Sequence, residues 1–359
     1  MMIMPRIFWT LIAILGSLLG LLVLMVLTGF LYQWLGGLID RKRLRTEGRL
    51  VDIGNGRQLY LVEKGPAGHG PTVIFESGFG ATSLNWVHLQ DALAEQVHTV
   101  AYDRCGLGWS SACVSERTPT QVAAELHSML RAADIEPPWI LVGHSFGGLV
   151  MQRFGLDHPT EAAGLILLDP MRTDEWPPVN QAAHARIARA QRLTRVGGVL
   201  ARVGLTRLAA RSHFCRSAKL SGYLIRLAGS QGEYLAGRLN TEIGKMPPQV
   251  RPAIAAHWSA PRFYHGLQAH LSAVSGTVIE MLSVEPIRDI PVVVVTPHGA
   301  TPADMRPYGA RSREIIAEES QHWVHLDEPE LVVRTILEMV DLAGAQGQRV
   351  RLRMMASAR

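Results

Sequence analysis

The longest apolar run comes first: from Ile7 to Leu35 the chain reads IFWTLIAILGSLLGLLVLMVLTGFLYQWL without a charged residue. About 20 apolar residues in a helix suffice to cross the hydrocarbon core of a bilayer, so this run predicts a transmembrane helix. A cleaved signal would have a shorter apolar core and a small-residue cleavage site; Gly36-Gly37 offers only a weak one, and the anchor is the preferred reading. Beyond a basic linker, RLVDI and RQLYLVE flank Gly54-Asn55-Gly56, which predicts an antiparallel hairpin over residues 49 to 63. The pattern then alternates. PTVIFES, VHTVAYD, WILVGHS and AGLILLDP read as strands, and LNWVHLQDALAE, TPTQVAAELHSMLRAAD and FGGLVMQRFGLDH read as helices between them, the second opened by Thr118 or Thr120 as cap. Strands this uniformly apolar, alternating with amphipathic helices, indicate a parallel sheet covered on both faces.

Regularity stops at Asp169-Pro170 and resumes at PVVVVT, residues 291 to 296, which makes the intervening stretch a large insertion between consecutive core strands. REIIAE, residues 313 to 318, reads as the last strand, and PELVVRTILEMVDLA as the closing helix with Pro329 in its first turn. The resulting division is an anchor and linker at 1–48, a core at 49–170 and 286–345, a lid at 171–285, and a basic tail at 346–359 expected to be disordered.

Composition adds little to this division but does limit the partners. With 359 residues, 47% hydrophobic and 19% charged, there is apolar surface for one buried α/β core, and the surplus lies in the first helix. Cys105, Cys113 and Cys215 form an odd set without metal-ligand spacing, best read as reduced structural thiols. Arg41, Lys42, Arg43 and Arg45 follow the apolar run and only Arg6 precedes it, which slightly favours a catalytic domain on the cytoplasmic side of the inner membrane.

The chemistry centres on Gly143-His144-Ser145-Phe146-Gly147. A bare G-x-S-x-G is weak, but this one follows an apolar strand and opens an apolar-periodic helix, the context a nucleophile elbow requires. Side chains at Gly143 and Gly147 would collide with neighbouring backbone, and Ser145 is forced into a strained turn with its hydroxyl above the sheet. The backbone N–H after the nucleophile, that of Phe146, is the natural first donor to a developing oxyanion.

LVGHSFGG together with AYDRCGLGWS resembles the α/β-hydrolases, specifically membrane-anchored or exported bacterial esterase- or lipase-like members. The resemblance runs from about Leu50 to about Leu342 and is weakest in the lid. It implies a mostly parallel, doubly wound eight-stranded sheet with the helical lid inserted after strand 6. It also implies that Ser77-Gly78-Phe79-Gly80 is the oxyanion loop, with the N–H of Phe79 as second donor, where many relatives have His-Gly. Asp103 and Arg104 are then structural, satisfying buried loop groups.

In this fold the order is Ser, then an acid, then His. Of 14 histidines, His322 in Glu318-Glu319-Ser320-Gln321-His322 lies after the last strand, where the family carries its base; Gln321 stands where many relatives have Gly. His325 reads as a structural residue and His144 as a packing residue. Three carboxylates compete for the acid. Asp169 ends AGLILLDP at a distance from Ser145 that one helix and one strand require; Asp304 stands after residues 291 to 296; Asp174 follows shortly after Asp169. Asp169 is preferred, and Asp304 is the alternative.

The activity these features point to is hydrolysis of a hydrophobic carboxylic ester through an acyl-enzyme, without metal or organic cofactor. C–C bond hydrolase, aminopeptidase, thioesterase, cofactor-free peroxidase and non-catalytic ligand binding remain alternatives, since fold alone does not choose among them. Serine at the elbow argues against haloalkane and epoxide hydrolysis, where the attacking group is Asp. Between Trp176 and Gly232 the charged residues are all basic: Arg186, Arg189, Arg192, Arg195, Arg202, Arg207, Arg211, Arg216, Lys219 and Arg226. They interleave with apolar positions at near-helical spacing, so the lid either rests on anionic lipid or presents a solvated cationic face over an apolar pocket. No motif for reading nucleic acid accompanies them.

Overall fold

The computed structural model describes residues 3–357 other than 46, 69, 113–115 and 215–243, with side chains described between 8 and 345 outside those segments and 212–214. Cys113, Cys215, Arg216, Lys219 and Arg226 therefore lie outside the described side chains.

Eight strands form one sheet in the order β1-β2-β4-β3-β5-β6-β7-β8. The hairpin β1 (Arg49–Asp52) and β2 (Gln58–Lys64) lies antiparallel at one edge, turned by Gly54, Asn55 and Gly56, all with positive φ. From β4 (Thr99–Asp103) onward all neighbours are parallel: β3 (Thr72–Glu76), β5 (Trp139–His144), β6 (Ala162–Leu168), β7 (Val292–Pro297) and β8 (Ser312–Ala317). β3, β4, β5 and β7 are buried at every position, because both faces of the sheet are covered.

One face packs against α3 (Pro119–Ala132) and α4 (Phe146–Asp157) through Leu126, Met129, Val150 and Phe154. The other packs against α2 (Val87–Leu93), entered by a short 3-10 turn at Ser83–Trp86, and against α11 (Pro329–Ser357) through Leu89, Leu93, Val332 and Ile336. Thr118 occupies the N-cap of α3 without a side-chain cap bond, and Pro119 supplies the first turn; Thr120 instead bonds Glu280 Oε1. The basic tail is a correction: α11 continues through Ser357, so the backbone after Gln346 is helical rather than disordered. Strong helix formers such as Gln, Arg, Leu and Met dominate this stretch, and nothing in it breaks a helix already nucleated upstream.

Between β6 and β7 the insertion is helical: α5 (Ala183–Arg202), α6 (Leu205–Phe214), α7 (Arg251–Ser259), α8 (Pro261–Ser272) and α9 (Val274–Leu282). The first helix, α1 (Ile3–Leu44), is 42 residues long, about 60 Å at 1.5 Å per residue and twice the bilayer core. Its second half docks on the cap. A Cβ at Gly29 would lie 2.3 Å from the Val203 carbonyl oxygen, so only glycine permits this approach. Arg207 of α6, buried, donates to Gln33 Oε1 at 3.0 Å and pairs with Asp40 at 2.5 Å.

Candidate active site

Ser145 follows the last residue of β5 and caps α4, with φ 54° and ψ −120°. An L-residue holds that conformation only where the surroundings over-determine it, and the glycines on either side provide the means. A Cβ at Gly143 would lie 2.5 Å from the Gly147 carbonyl oxygen, and one at Gly147 would lie 2.4 Å from that of Glu76. Both obstacles are backbone, which cannot rotate aside.

Gly78 abuts Ser145: a Cβ there would stand 3.4 Å from Ser145 Cβ. The Phe79 ring stacks on the Phe146 ring with centroids 4.6 Å apart, bringing the two expected donor positions together. Neither Phe79 N–H nor Phe146 N–H has an acceptor among the described residues.

The segment after β4 fixes this loop from below. Arg104, buried, donates to the Ser77 carbonyl at 3.0 Å and to that of Gly78, lies 5.2 Å from the Phe146 ring centroid, and pairs with Glu76 at 3.4 Å. Burial pushes the Glu76 carboxyl up, although the Arg104 guanidinium and the Tyr102 hydroxyl both oppose that shift. Asp103 accepts from the Ser83 N–H at 2.9 Å, the Ser83 hydroxyl at 2.8 Å and the Trp109 N–H at 2.8 Å. Trp86 Nε1 donates to Ser77 Oγ at 2.8 Å.

His322 lies in the loop after β8, and its Nδ1 is 2.6 Å from Asp169 Oδ2. Asp169 sits at the carboxyl end of β6 with φ 42°, its N–H bonded to the Val295 carbonyl at 2.8 Å. The other two acid candidates are engaged elsewhere. Asp304 is held by Arg306 (Nη2–Oδ2 2.7 Å, Nε–Oδ1 2.9 Å), and that guanidinium draws its carboxyl down to about 2. Asp174 pairs with Arg172 at 2.8 Å. No hydrogen bond joins Ser145 Oγ to the His322 ring; catalytic contacts of this kind commonly tighten only when substrate is bound.

The role of His144 was not legible in the sequence. Its Nε2 lies 2.7 Å from the carbonyl oxygen of His322, and burial holds its pKa well below the usual imidazole range. The ring is therefore neutral, and because the partner is a carbonyl the proton sits on Nε2. A G-x-S-x-G pattern offers no sign that its first variable side chain reaches a loop 178 positions away. His325, on α10 (Val324–Asp327), is buried between Trp86 at 4.5 Å and His144 at 4.6 Å, with neither ring nitrogen hydrogen-bonded.

His127, His158 and Glu161 form a potential metal-ligating trio, their ligand atoms all within 4.8 Å of one another. They lie at the ends of α3 and α4 and just before β6, the opposite end of the sheet from Ser145, and Glu161 is already paired with Arg131 at 2.8 Å.

A family model described as alpha/beta hydrolase fold matches residues 71–214, the stretch that carries the donor loop and the elbow. The chain has the α/β-hydrolase fold. Among curated proteins of this kind, an uncharacterised protein of Bacillus subtilis, YqjL, is 35% identical over 105 residues, 29% of this chain and 42% of the relative. RutD of Escherichia coli O157:H7, whose name provisionally assigns it carbamate hydrolysis, is 34% identical over 122 residues, 34% of this chain and 43% of the relative. The chain thus spans about two fifths of the length of these relatives. Among solved structures, the epoxide hydrolase CorEH superposes with a TM-score of 0.60 at 18% identity, over 81% of this chain and 97% of that one. A thermophilic esterase from Thermogutta terrifontis gives 0.56 at 18% identity, over 83% and 99%. At such identities the likeness establishes the fold alone.

Proposed function

We propose that this hydrolase cleaves carboxylic esters of a hydrophobic acyl group, with Ser145 as nucleophile, His322 as base and Asp169 as orienting acid. The observation that carries the reading is the 2.6 Å contact between His322 Nδ1 and Asp169, formed at the same edge of the sheet as the strained Ser145. Asp169 fixes the tautomer with the proton on Nδ1, leaving Nε2 free to accept the hydroxyl proton as Ser145 Oγ attacks the acyl carbon. The oxyanion that forms receives the N–H groups of Phe79 and Phe146. The imidazolium returns its proton to the departing alcohol, and water repeats the sequence to release the acid from Ser145.

The same reading makes α1 a retained single-pass anchor of the inner membrane. Packing of Gly29, Gln33 and Asp40 on the cap supports retention, because cleavage near Gly36-Gly37 would strip Val203 and Arg207 of part of these contacts. The experiment is a hydrolysis series over p-nitrophenyl esters of increasing chain length, with an aryl carbamate included, on wild type and Ser145→Ala, alongside fluorophosphonate labelling. Turnover that rises with acyl length and disappears in Ser145→Ala is the expected result. A folded protein that neither labels at Ser145 nor turns over any ester would sink the proposal.

A further inference from the structure

A cavity of about 410 Å³ opens between the second half of α1 and the cap. None of Ser145, His322 and Asp169 lines it. On one side stand Phe30, Trp34 and Leu38, one every four residues along α1, exposed by 58%, 56% and 49%. Gln33, Gly37 and Arg41 form the adjacent row, and a Cβ at Gly37 would meet nothing within 4 Å. On the other side stand Trp109, Arg202 and Arg262.

The charges here do not balance. Asp40 is the lone carboxylate in the lining, and Arg207 takes it at 2.5 Å. Arg41, Arg202 and Arg262 have no carboxylate partner among the described residues. Arg262 is anchored by donation to the Gly108 and Ser110 carbonyls and lies 5.6 Å from the Trp109 ring centroid. Burial above all, and then the Arg41 charge, pull its guanidinium down to about 10 against the opposing charge of the buried Asp103 carboxylate.

We propose that this cavity binds one anionic phospholipid, its phosphate between Arg41, Arg202 and Arg262 and an acyl chain along the Phe30–Trp34–Leu38 face. Guanidinium is the side chain best suited to a phosphate, which it meets with two parallel N–H donors. Depth agrees, on the reading of α1 as a bilayer anchor: with about 20 residues of the apolar run ending at Leu35 in the roughly 30 Å core, Leu38 to Arg41 emerge at headgroup level. Trp34 and Trp109 belong at that same interface. The cap's apolar exposure lies beside the same stretch, with Val196 and Val199 of α5 and Leu205 and Leu208 of α6 all open to solvent.

The test uses the full-length protein in a nonionic detergent, titrated with phosphatidylglycerol or phosphatidylcholine of identical chains and followed by native mass spectrometry. Phosphatidylglycerol should be retained in preference to phosphatidylcholine. Arg41→Gln/Arg202→Gln should weaken that retention on the order of tenfold to thirtyfold, at about 1 kcal/mol per basic residue. Arg189→Gln/Arg192→Gln on α5, outside the cavity, should leave it unchanged. Equal retention of the two lipids, or equal loss in the α5 control pair, would overturn the site; so would inorganic phosphate displacing the lipid at matched concentration. An intact mass lacking the residues before Gly37 would instead refute the anchor, and fluorophosphonate labelling of Ser145 reads the catalytic proposal separately from both.

Discussion

Replacing Asp169 by Asn keeps the volume of the side chain and removes its charge. In the wild type, Nδ1–H donates over 2.6 Å to a carboxylate that can only accept. An Asn can present its amide instead, donating to Nδ1 and moving the imidazole proton to Nε2. From that position the ring cannot take the proton of Ser145. Loss of the orienting acid in a buried triad lowers kcat by about 10⁴, or about 5.4 kcal/mol at 1.36 kcal/mol per decade. Here both groups are partly open, 37% for His322 and 27% for Asp169, and water screens the part of that effect that is electrostatic. The expected loss is therefore roughly 10²- to 10⁴-fold in kcat, with KM little changed. Steady-state hydrolysis of a p-nitrophenyl ester and the rate of fluorophosphonate labelling should fall together. Asp304→Asn and Asp174→Asn, measured beside it, should remain within about twofold of wild type, since each disrupts only a surface pair with a neighbouring arginine. An Asp169→Asn enzyme keeping more than about a tenth of wild-type kcat, or an Asp304→Asn enzyme losing as much, would refute the reasoning.

Three further outcomes follow from the geometry. His144→Leu leaves the His322 carbonyl without its donor at a cost of about 1–3 kcal/mol, so kcat should fall roughly tenfold or more at nearly constant KM. His144→Gln, which can still donate, should recover part of that loss; an unchanged kcat in His144→Leu would remove the positioning role. Gly147→Ala drives a methyl group to 2.4 Å from the Glu76 carbonyl oxygen and should cost more stability than the about 1–3 kcal/mol of ordinary overpacking, read as a lowered thermal midpoint; a wild-type midpoint would contradict the elbow geometry. Burial, with the His322 and Lys245 charges nearby, holds His325 at about 3, well below the ordinary imidazole value of about 6.5. The folded state thus disfavours the proton, and stability present above pH 6.5 is lost as pH falls toward 3, by about 1.4 kcal/mol per pH unit for this group. His325→Phe should flatten the acid side of a midpoint-against-pH curve, and a variant with the wild-type slope would assign the acid lability elsewhere.

The core was legible in the sequence where one physical rule dominates. Val73, Ile74 and Phe75 or Val293, Val294 and Val295 can be stored only in a strand buried on both faces, and the glycines around Ser145 have a steric cause that follows from the motif alone. For the acid, sequence spacing preferred Asp169 but left Asp304 and Asp174 open, because the choice depends on which carboxylate a local arginine has already claimed. Arg306 and Arg172 sit two positions from Asp304 and Asp174, whereas Asp169 reaches a partner 153 positions away. Contacts of that range leave no periodicity. The same holds for His144 on the His322 carbonyl and for the docking of α1 on the cap, where Gly29 reads in sequence as one more small residue in an apolar helix.

The link from Arg207 to Gln33 and Asp40 also fixes the mechanics of the cap. A flap tethered only through its two chain connections would swing independently of whatever holds the protein in place. Here α6 is pinned to α1, so α1 behaves as the axle on which this part of the cap is mounted. Any rotation that separates α6 from the core must turn the axle with it or strip a buried guanidinium of its carboxylate, a cost of about 3–5 kcal/mol. On the reading of α1 as a bilayer anchor, tilt of the first helix and movement of α6 are then one coordinate, and bilayer thickness becomes a variable that acts on the cap.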